Sequence, residues 1–204
     1  MAKTYTQLKA DIGTFLNRAD LAAAIPTFIA LAEGSLNDRV RHRKGQKIDT
    51  TIALVAGEDT ITLPADYEEA EVISVGGERL QFLAPAEFED LRSSGQPISE
   101  SFYTHAGTTL LVCPTFNSDV TGRLVYYASI PALSDSVQSN WLLDARYDAY
   151  LYGALIHSAP LLNEDPRVQL WTGLYEKALS ELNAASEKTQ TSGAPLVRRG
   201  STFG

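Results

Sequence analysis

A chain of 204 residues with 44% hydrophobic content is long enough for one good core, so a single domain with an extension is expected. Its formal net charge of -8 argues against a surface built to grip nucleic acid, which needs clustered Lys and Arg, although steric containment of a duplex needs no such surface. The single cysteine, Cys113, excludes an intrachain disulfide, and with no apolar run of membrane-spanning length and no signal-peptide core in MAKTYTQLKADIG a soluble chain made in the cytoplasm is expected.

Tyr5, Leu8, Ile12, Phe15 and Leu16 recur at helical spacing and predict a first helix over 4–16, with Thr4 as its N-cap and 17–20 as its end. Pro26 comes early in the next segment, where Ile25, Phe28, Ile29, Ala32, Leu36 and Val40 share one face and predict a helix over 21–41. Gly34 weakens that helix by about 1 kcal/mol relative to alanine without breaking it. At its end lies RVRHRKGQK, the densest basic cluster in the chain. Arg39, Arg41, Arg43 and Lys44 there either complement the negative end of the helix dipole or meet a phosphate or a partner.

From Lys47 the period alternates, and Ile48, Thr50, Ile52 and Leu54 are expected on one face of a strand. Gly57, Glu58 and Asp59 turn the chain into a short strand over 60–63 closed by Pro64. A strand over 71–75 follows, and Gly76 and Gly77 form a tight hairpin into 80–83. Pro85 starts a short helix with Phe88 and Leu91 facing inward. A second hairpin pairs 102–104 with 109–112 around Ala106 and Gly107, and 124–129 adds a strand with Val125 and Tyr127 on one side. The β lobe thus spans 47–130, and a turn-rich connection over 131–139 leads back to helices.

The stretch from Asn140 to Ala185 holds both tryptophans. A helix over 144–159 carries Tyr147, Leu151, Ala154 and Leu155 on one stripe, and Tyr150, Tyr152 and Ile156 widen its apolar surface, so it needs neighbours on two sides. A second helix over 166–186 begins with Asp165 as N-cap and Pro166 in its first turn, with Leu170, Trp171, Leu174, Ala178 and Leu182 as its stripe. The short join makes the two an αα-hairpin. The expected fold is α+β, mainly α: a helical bundle with a long C-terminal αα-hairpin, a small antiparallel β lobe and an extended tail. Residues 1–187 form the body.

The remainder, KTQTSGAPLVRRGSTFG over 188–204, has no acidic residue and a charge of +3 from Lys188, Arg198 and Arg199. Ordering it costs about 1 kcal/mol or more per residue. Leu196, Val197 and Phe203 return about 2 kcal/mol apiece. The balance predicts a segment that orders only on a partner.

No phosphate-binding loop, nucleophile elbow, HExxH or paired CxxC is present. His42, His105 and His157 have no ligand-type neighbour at helical spacing, and His157 is expected as a hydrogen-bonded core or interface residue. Cys113 is expected as a small buried hydrophobe, Glu68 to Glu71 (EEAE) as a solvated strand entry rather than a cation site, and Glu33 as a glycosidase acid only with a second carboxylate across a cleft. No cofactor, metal or catalytic residue is expected.

The run LPADYEEAEVISVGG, the hairpin FYTHAGTTLLVCPT, the strand RLVYYASIPALSD and the stretch NWLLDARYDAYLYGALIHSAPLLNEDPRVQLWTGLYEKALSELNAA closely resemble, in order and spacing, the head-to-tail adaptor proteins of short-tailed phages. The resemblance spans nearly the whole chain and thins over 39–54 and at the end. It implies a virion protein, made in the host cytoplasm and without enzymatic activity. It further implies a twelve-fold homo-oligomeric ring under the portal protein, which extends the DNA channel and docks the tail nozzle. DNA passes through without sequence-specific binding, and no membrane is involved. The arm over 188–204, with Leu196, Val197, Arg198, Arg199 and Phe203, is then expected to bind portal. Tyr147, Tyr150, Leu151, Leu155, Trp171 and Leu174 are expected in core or subunit packing. Two other classes stay open: a cytoplasmic binding or regulatory module with a pocket between helices and sheet, and a peptidoglycan hydrolase.

Overall fold

Helical and alternating periods segregate along the chain, and the structure, a computed structural model, follows that division. It describes residues 3–162 and 166–190, the side chains of 187–190 excepted. In chain order the elements are α1 (Tyr5–Leu16), α2 (Ile25–Arg39), β1 (Gln46–Asp49), β2 (Ala53–Leu54), β3 (Thr60–Thr62), β4 (Tyr67–Val75), β5 (Glu78–Arg79) and β6 (Gln81–Phe82). They continue with α3 (Pro85–Ser93), β7 (Phe102–Ala106), β8 (Thr109–Cys113), β9 (Val120–Ala128), α4 (Trp141–Ala145), α5 (Tyr147–His157) and α6 (Arg167–Gln190). The described residues mix helix and sheet, an α+β fold in which the strands amount to more than a small lobe. The described residues of 1–44 and 130–190 make one compact unit, and Gly45–Ser129 makes the other.

In the helical unit the Thr4 side chain accepts the Gln7 amide at 3.2 Å, the expected N-cap, and Asn17 ends α1 in the left-handed region at φ 51°. Tyr5, Leu8, Ile12 and Leu16 are buried, but Phe15 is 44% exposed, contrary to the expected stripe. A second departure follows. The helix expected over 21–41 splits into a 3-10 segment over Ala19–Ala24 and α2, because Pro26 has no amide to carry an α-helical bond across the join. The stretch Ala19–Arg39, of mean hydropathy 1.3, is apolar enough by length and composition to match a membrane span, which corrects the sequence expectation. Its apolar residues Phe28, Ile29, Ala32 and Leu36 belong to the protein core, the ordinary reason for such composition in a core helix.

The helix expected over 144–159 is also two. Asn140 caps α4 by accepting the Leu142 and Leu143 amides at 3.1 and 2.8 Å, and the chain breaks at Arg146 before α5 begins. α5 is buried on several faces and packs on α1, α2 and α6. Gly153 makes this approach possible, since a Cβ there would meet Ala32 and Tyr175 carbons at 3.2 Å each. On α6 the buried residues are Trp171, Tyr175, Ala178, Leu179 and Leu182, while Leu170 is 61% exposed and Leu174 half-buried. The stripe is therefore turned relative to the expected one, toward the side where Tyr175 fills the space opened by Gly153. The helix continues to Gln190 rather than stopping at 186, and its expected cap, Asp165, lies outside the described residues.

The connection expected over 131–139 is tied down by buried polar groups. Asn37 and Glu33, one turn apart on α2, accept the Ile130 and Leu133 amides, each at 2.7 Å. Asn140 donates to the Pro131 carbonyl at 2.8 Å and to the Tyr150 hydroxyl at 2.7 Å. The bonds to the Leu133 amide and the Tyr150 hydroxyl satisfy groups in buried surroundings, and the other two are part-buried.

The other unit holds two sheets in place of the single one expected. One has the order β1-β9-β4-β5, with β2 also on β9, and the other the order β3-β8-β7-β6. Gly76 and Gly77, at φ 60° and 86°, turn β4 into β5 as expected. The chain then changes sheets: Leu80 is buried, and β6 pairs parallel with β7 instead of extending the hairpin. The alternation expected from Ile48 to Leu54 fails at Asp49, whose side chain accepts the Thr51 amide at 2.7 Å and bends the strand. Ile48 is accordingly 56% exposed, while Ile52 and Leu54 are buried. On β9 the buried face is Leu124, Tyr126 and Ala128, with Val125 and Tyr127 on the half-buried side.

Candidate interaction surfaces

The basic cluster divides into residues the fold uses and residues it leaves free to bind. Arg39, in the last turn of α2, forks onto Glu176 of α6 at 2.8 and 2.6 Å. Arg41 donates to the Asn37 and Val40 carbonyls at 2.6 and 3.1 Å, satisfying acceptors at the helix end. His42 is buried and stacks on Trp141, with ring centroids 5.6 Å apart, and its Nδ1 accepts the Lys44 amide at 3.1 Å. Burial, then the charges of Lys44 and Arg43, hold its imidazole below the ordinary histidine range. The Arg43 amide donates to Ser186 at 3.3 Å, which ties this turn to α6.

Beside that turn lies a groove of about 300 Å³, whose walls include His42, Arg43, Lys44, Arg146, Glu181 and Leu182. Arg146 is held in place by a fork onto Asp148, at 2.9 and 2.7 Å, and by Glu181 at 2.8 Å. The side chains of Arg43 and Lys44 are exposed. Neither has an ion partner among the described residues.

Tyr150, Leu151, Leu155 and Trp171 are buried inside the subunit, and Tyr147 is half-buried with its hydroxyl on Asp11 at 2.6 Å. Leu174, on α6, is half-buried. Leu196, Val197, Arg198, Arg199 and Phe203 lie outside the described residues. Two surface features were not anticipated. Arg167 donates to the Phe15 carbonyl at 3.0 Å, near exposed Phe15 on α1 and Leu170 on α6. In the sheet unit Phe82, 55% exposed, meets Tyr103 and His105 at centroid distances of 5.6 and 6.0 Å. The local signal for that patch was Phe82 alternating with buried Leu80, but the sheet it joins is set by a distant strand.

The other candidates have structural roles. Cys113 is buried, and burial pushes its thiol up. His157 shares a 3.3 Å hydrogen bond with Ser35. Glu71 accepts from Gln46, and among the described residues no cluster of His, Cys, Asp and Glu is arranged to hold a metal. Burial raises the Glu33 carboxyl, opposed by the Leu133 amide that it accepts. A carboxyl raised on folding contributes nothing against stability below its unfolded pKa of about 4.3 and lowers stability as pH rises through the folded value. Glutamine keeps the acceptor and removes the charge. Glu33→Gln is therefore expected to raise the thermal midpoint at pH 7, with the gain disappearing below about pH 4. A variant less stable than the parent at pH 7 would show that the charge itself is needed.

The family model described as SU10 adaptor protein matches residues 3–199. No curated protein matches the chain.

Proposed function

Because the chain belongs to the SU10 adaptor protein family, we propose that it is a structural part of the phage neck, joining head to tail. The observation that carries this is the length of the match, which runs from α1 through both units into the arm, to residue 199. Family membership implies association with portal and tail components and a place in the virion neck, and it points away from catalysis.

Within that role residues 1–187 act as one adaptor domain, in which α5 and α6 serve as the αα-hairpin of a helical body. Twelve copies form a ring below the portal, extend the DNA channel and dock the tail nozzle. Synthesis takes place in the host cytoplasm. The acidic composition supports passage of DNA without grip, since like charge leaves no counterions to release. Leu196, Val197 and Phe203 are the apolar anchors of the portal-binding arm, and Arg198 and Arg199 are its charged contacts. Exposed Leu170 and half-buried Leu174 supply subunit packing on α6.

Truncation after Gln190 tests the arm, because it leaves α6 whole. The free protein is expected to unfold at an unchanged temperature while its assembly onto portal weakens sharply, and Leu196→Asp does part of the same damage. Complete rings on portal, formed with undiminished affinity by the truncated chain, would return the arm to an inert extension.

A further inference from the structure

A pocket of about 220 Å³ opens between α2, α5 and α6, walled by Ser35, Gly153, Ile156, His157, Thr172 and Tyr175. It shares no lining residue with the groove beside Arg43. Tyr175 is its unusual member. This residue is 5% exposed, and its hydroxyl, which solvent does not reach, has no hydrogen-bond partner. Leaving a buried hydroxyl unpaired is costly, so a ligand atom that pairs with it binds with that advantage.

What lies over the Tyr175 ring is a side chain rather than backbone, since the Arg39 guanidinium is 5.6 Å from the ring centre. Arg39 and its partner Glu176 are 45% and 52% exposed, and exposed side chains change rotamer quickly, so this cover turns aside without disturbing the helices. From α2 and α5, Ser35 and His157 share a hydrogen bond of 3.3 Å, which holds both side chains and leaves the serine oxygen an acceptor site to spare.

Charge and size select the occupant. Glu176 is forked by Arg39, so the two charges at the pocket match each other, and neither a carboxylate nor an ammonium finds a free countercharge. Burial pushes the Tyr175 hydroxyl up and holds the His157 ring below the ordinary histidine range, which keeps both neutral near pH 7. A cavity of about 150 Å³ with apolar walls holds benzene, so this larger one admits a single ring with a substituent. A hydroxyl is the substituent that matches, because it accepts from Tyr175 and donates to Ser35. A carboxamide brings two N–H donors and a carbonyl, more than those two groups satisfy.

We propose that this pocket binds an uncharged aromatic ring carrying a hydroxyl, with Tyr175 donating to the ligand oxygen and Ser35 accepting from it. That chemistry is common to free phenols and to tyrosine side chains of other proteins, and it stands apart from the adaptor role.

In the isotope-labelled full-length protein, titration with p-cresol is expected to give saturable amide shifts centred on Ser35, Gly153, Ile156 and Thr172. Toluene, the same ring without the hydroxyl, should bind about fivefold more weakly. Tyr175→Phe removes the donor and keeps the ring, so the preference for p-cresol should shrink to about twofold or less. Ser35→Ala should weaken p-cresol severalfold and leave toluene unchanged. The phenylalanine variant should also unfold at the parent temperature or above it, since it buries no unpaired hydroxyl. N-acetyltyrosinamide separates the sources: binding as tight as that of p-cresol marks a partner's tyrosine, and weaker binding marks a free phenol. Shifts that fail to saturate, equal affinity for toluene and p-cresol, or an undiminished preference in Tyr175→Phe would overturn the proposal. So would tighter binding of p-methylbenzoate, which is an anion, or a lowered unfolding temperature for Tyr175→Phe, which would mean that the hydroxyl is already paired in the free protein.

Discussion

Asn140→Ala is expected to lower the free energy of unfolding by about 2 kcal/mol or more, a larger loss than most polar substitutions cause. Three losses combine. The cap of α4, two amides accepted by one side-chain oxygen, contributes about 1 kcal/mol. The buried Tyr150 hydroxyl is then left without its donor, at about 1 kcal/mol or more, while the Pro131 carbonyl, on an exposed residue, loses a bond that water can partly replace. Asn140→Ser separates the contributions, since serine caps a helix but does not reach both acceptors. It should fall about 1 kcal/mol short of the alanine effect in urea unfolding. Equal losses for the two variants would mean that the cap adds nothing.

Leu179→Ala should cost about 2–5 kcal/mol, the usual range for emptying a leucine site in a well-packed core. Exposed Leu170→Ala should stay within about 0.5 kcal/mol of the parent, and half-buried Leu174→Ala should fall between the two. This ordering reads the rotation of α6 about its own axis. If Leu170→Ala proved the most damaging, the phase of the helix would have to be turned back.

What was legible in the sequence was local. Thr4 and Gln7 are three residues apart, and their cap needs nothing from the rest of the chain. The many-sided burial of α5 follows from its composition. The phase of α6 was not legible, because Leu170, Leu174 and Ala178 make as good a helical stripe as Trp171, Tyr175, Ala178 and Leu182. The choice is made by Gly153 on another helix, which leaves room for the Tyr175 ring. Leu80 and Phe82 read as a hairpin arm because Gly76 and Gly77 form a true hairpin turn, but their partner strand β7 lies beyond α3. The groove was half visible: Arg43 and Lys44 stood out as a basic run, while Arg146 and Glu181 reach it only through the tertiary fold.

The order of segments also has a consequence for synthesis. The sheet unit is an unbroken stretch set between the two halves of the helical unit, so a ribosome completes it first. By then α2 has long since emerged, carrying Phe28, Ile29, Ala32 and Leu36, whereas α5, which packs against it, is still untranslated. Throughout that interval the apolar face of α2 lacks the helix that covers it in the finished fold. The core of the helical unit therefore cannot close until the chain beyond residue 129 has been made, whatever the stability of the finished fold.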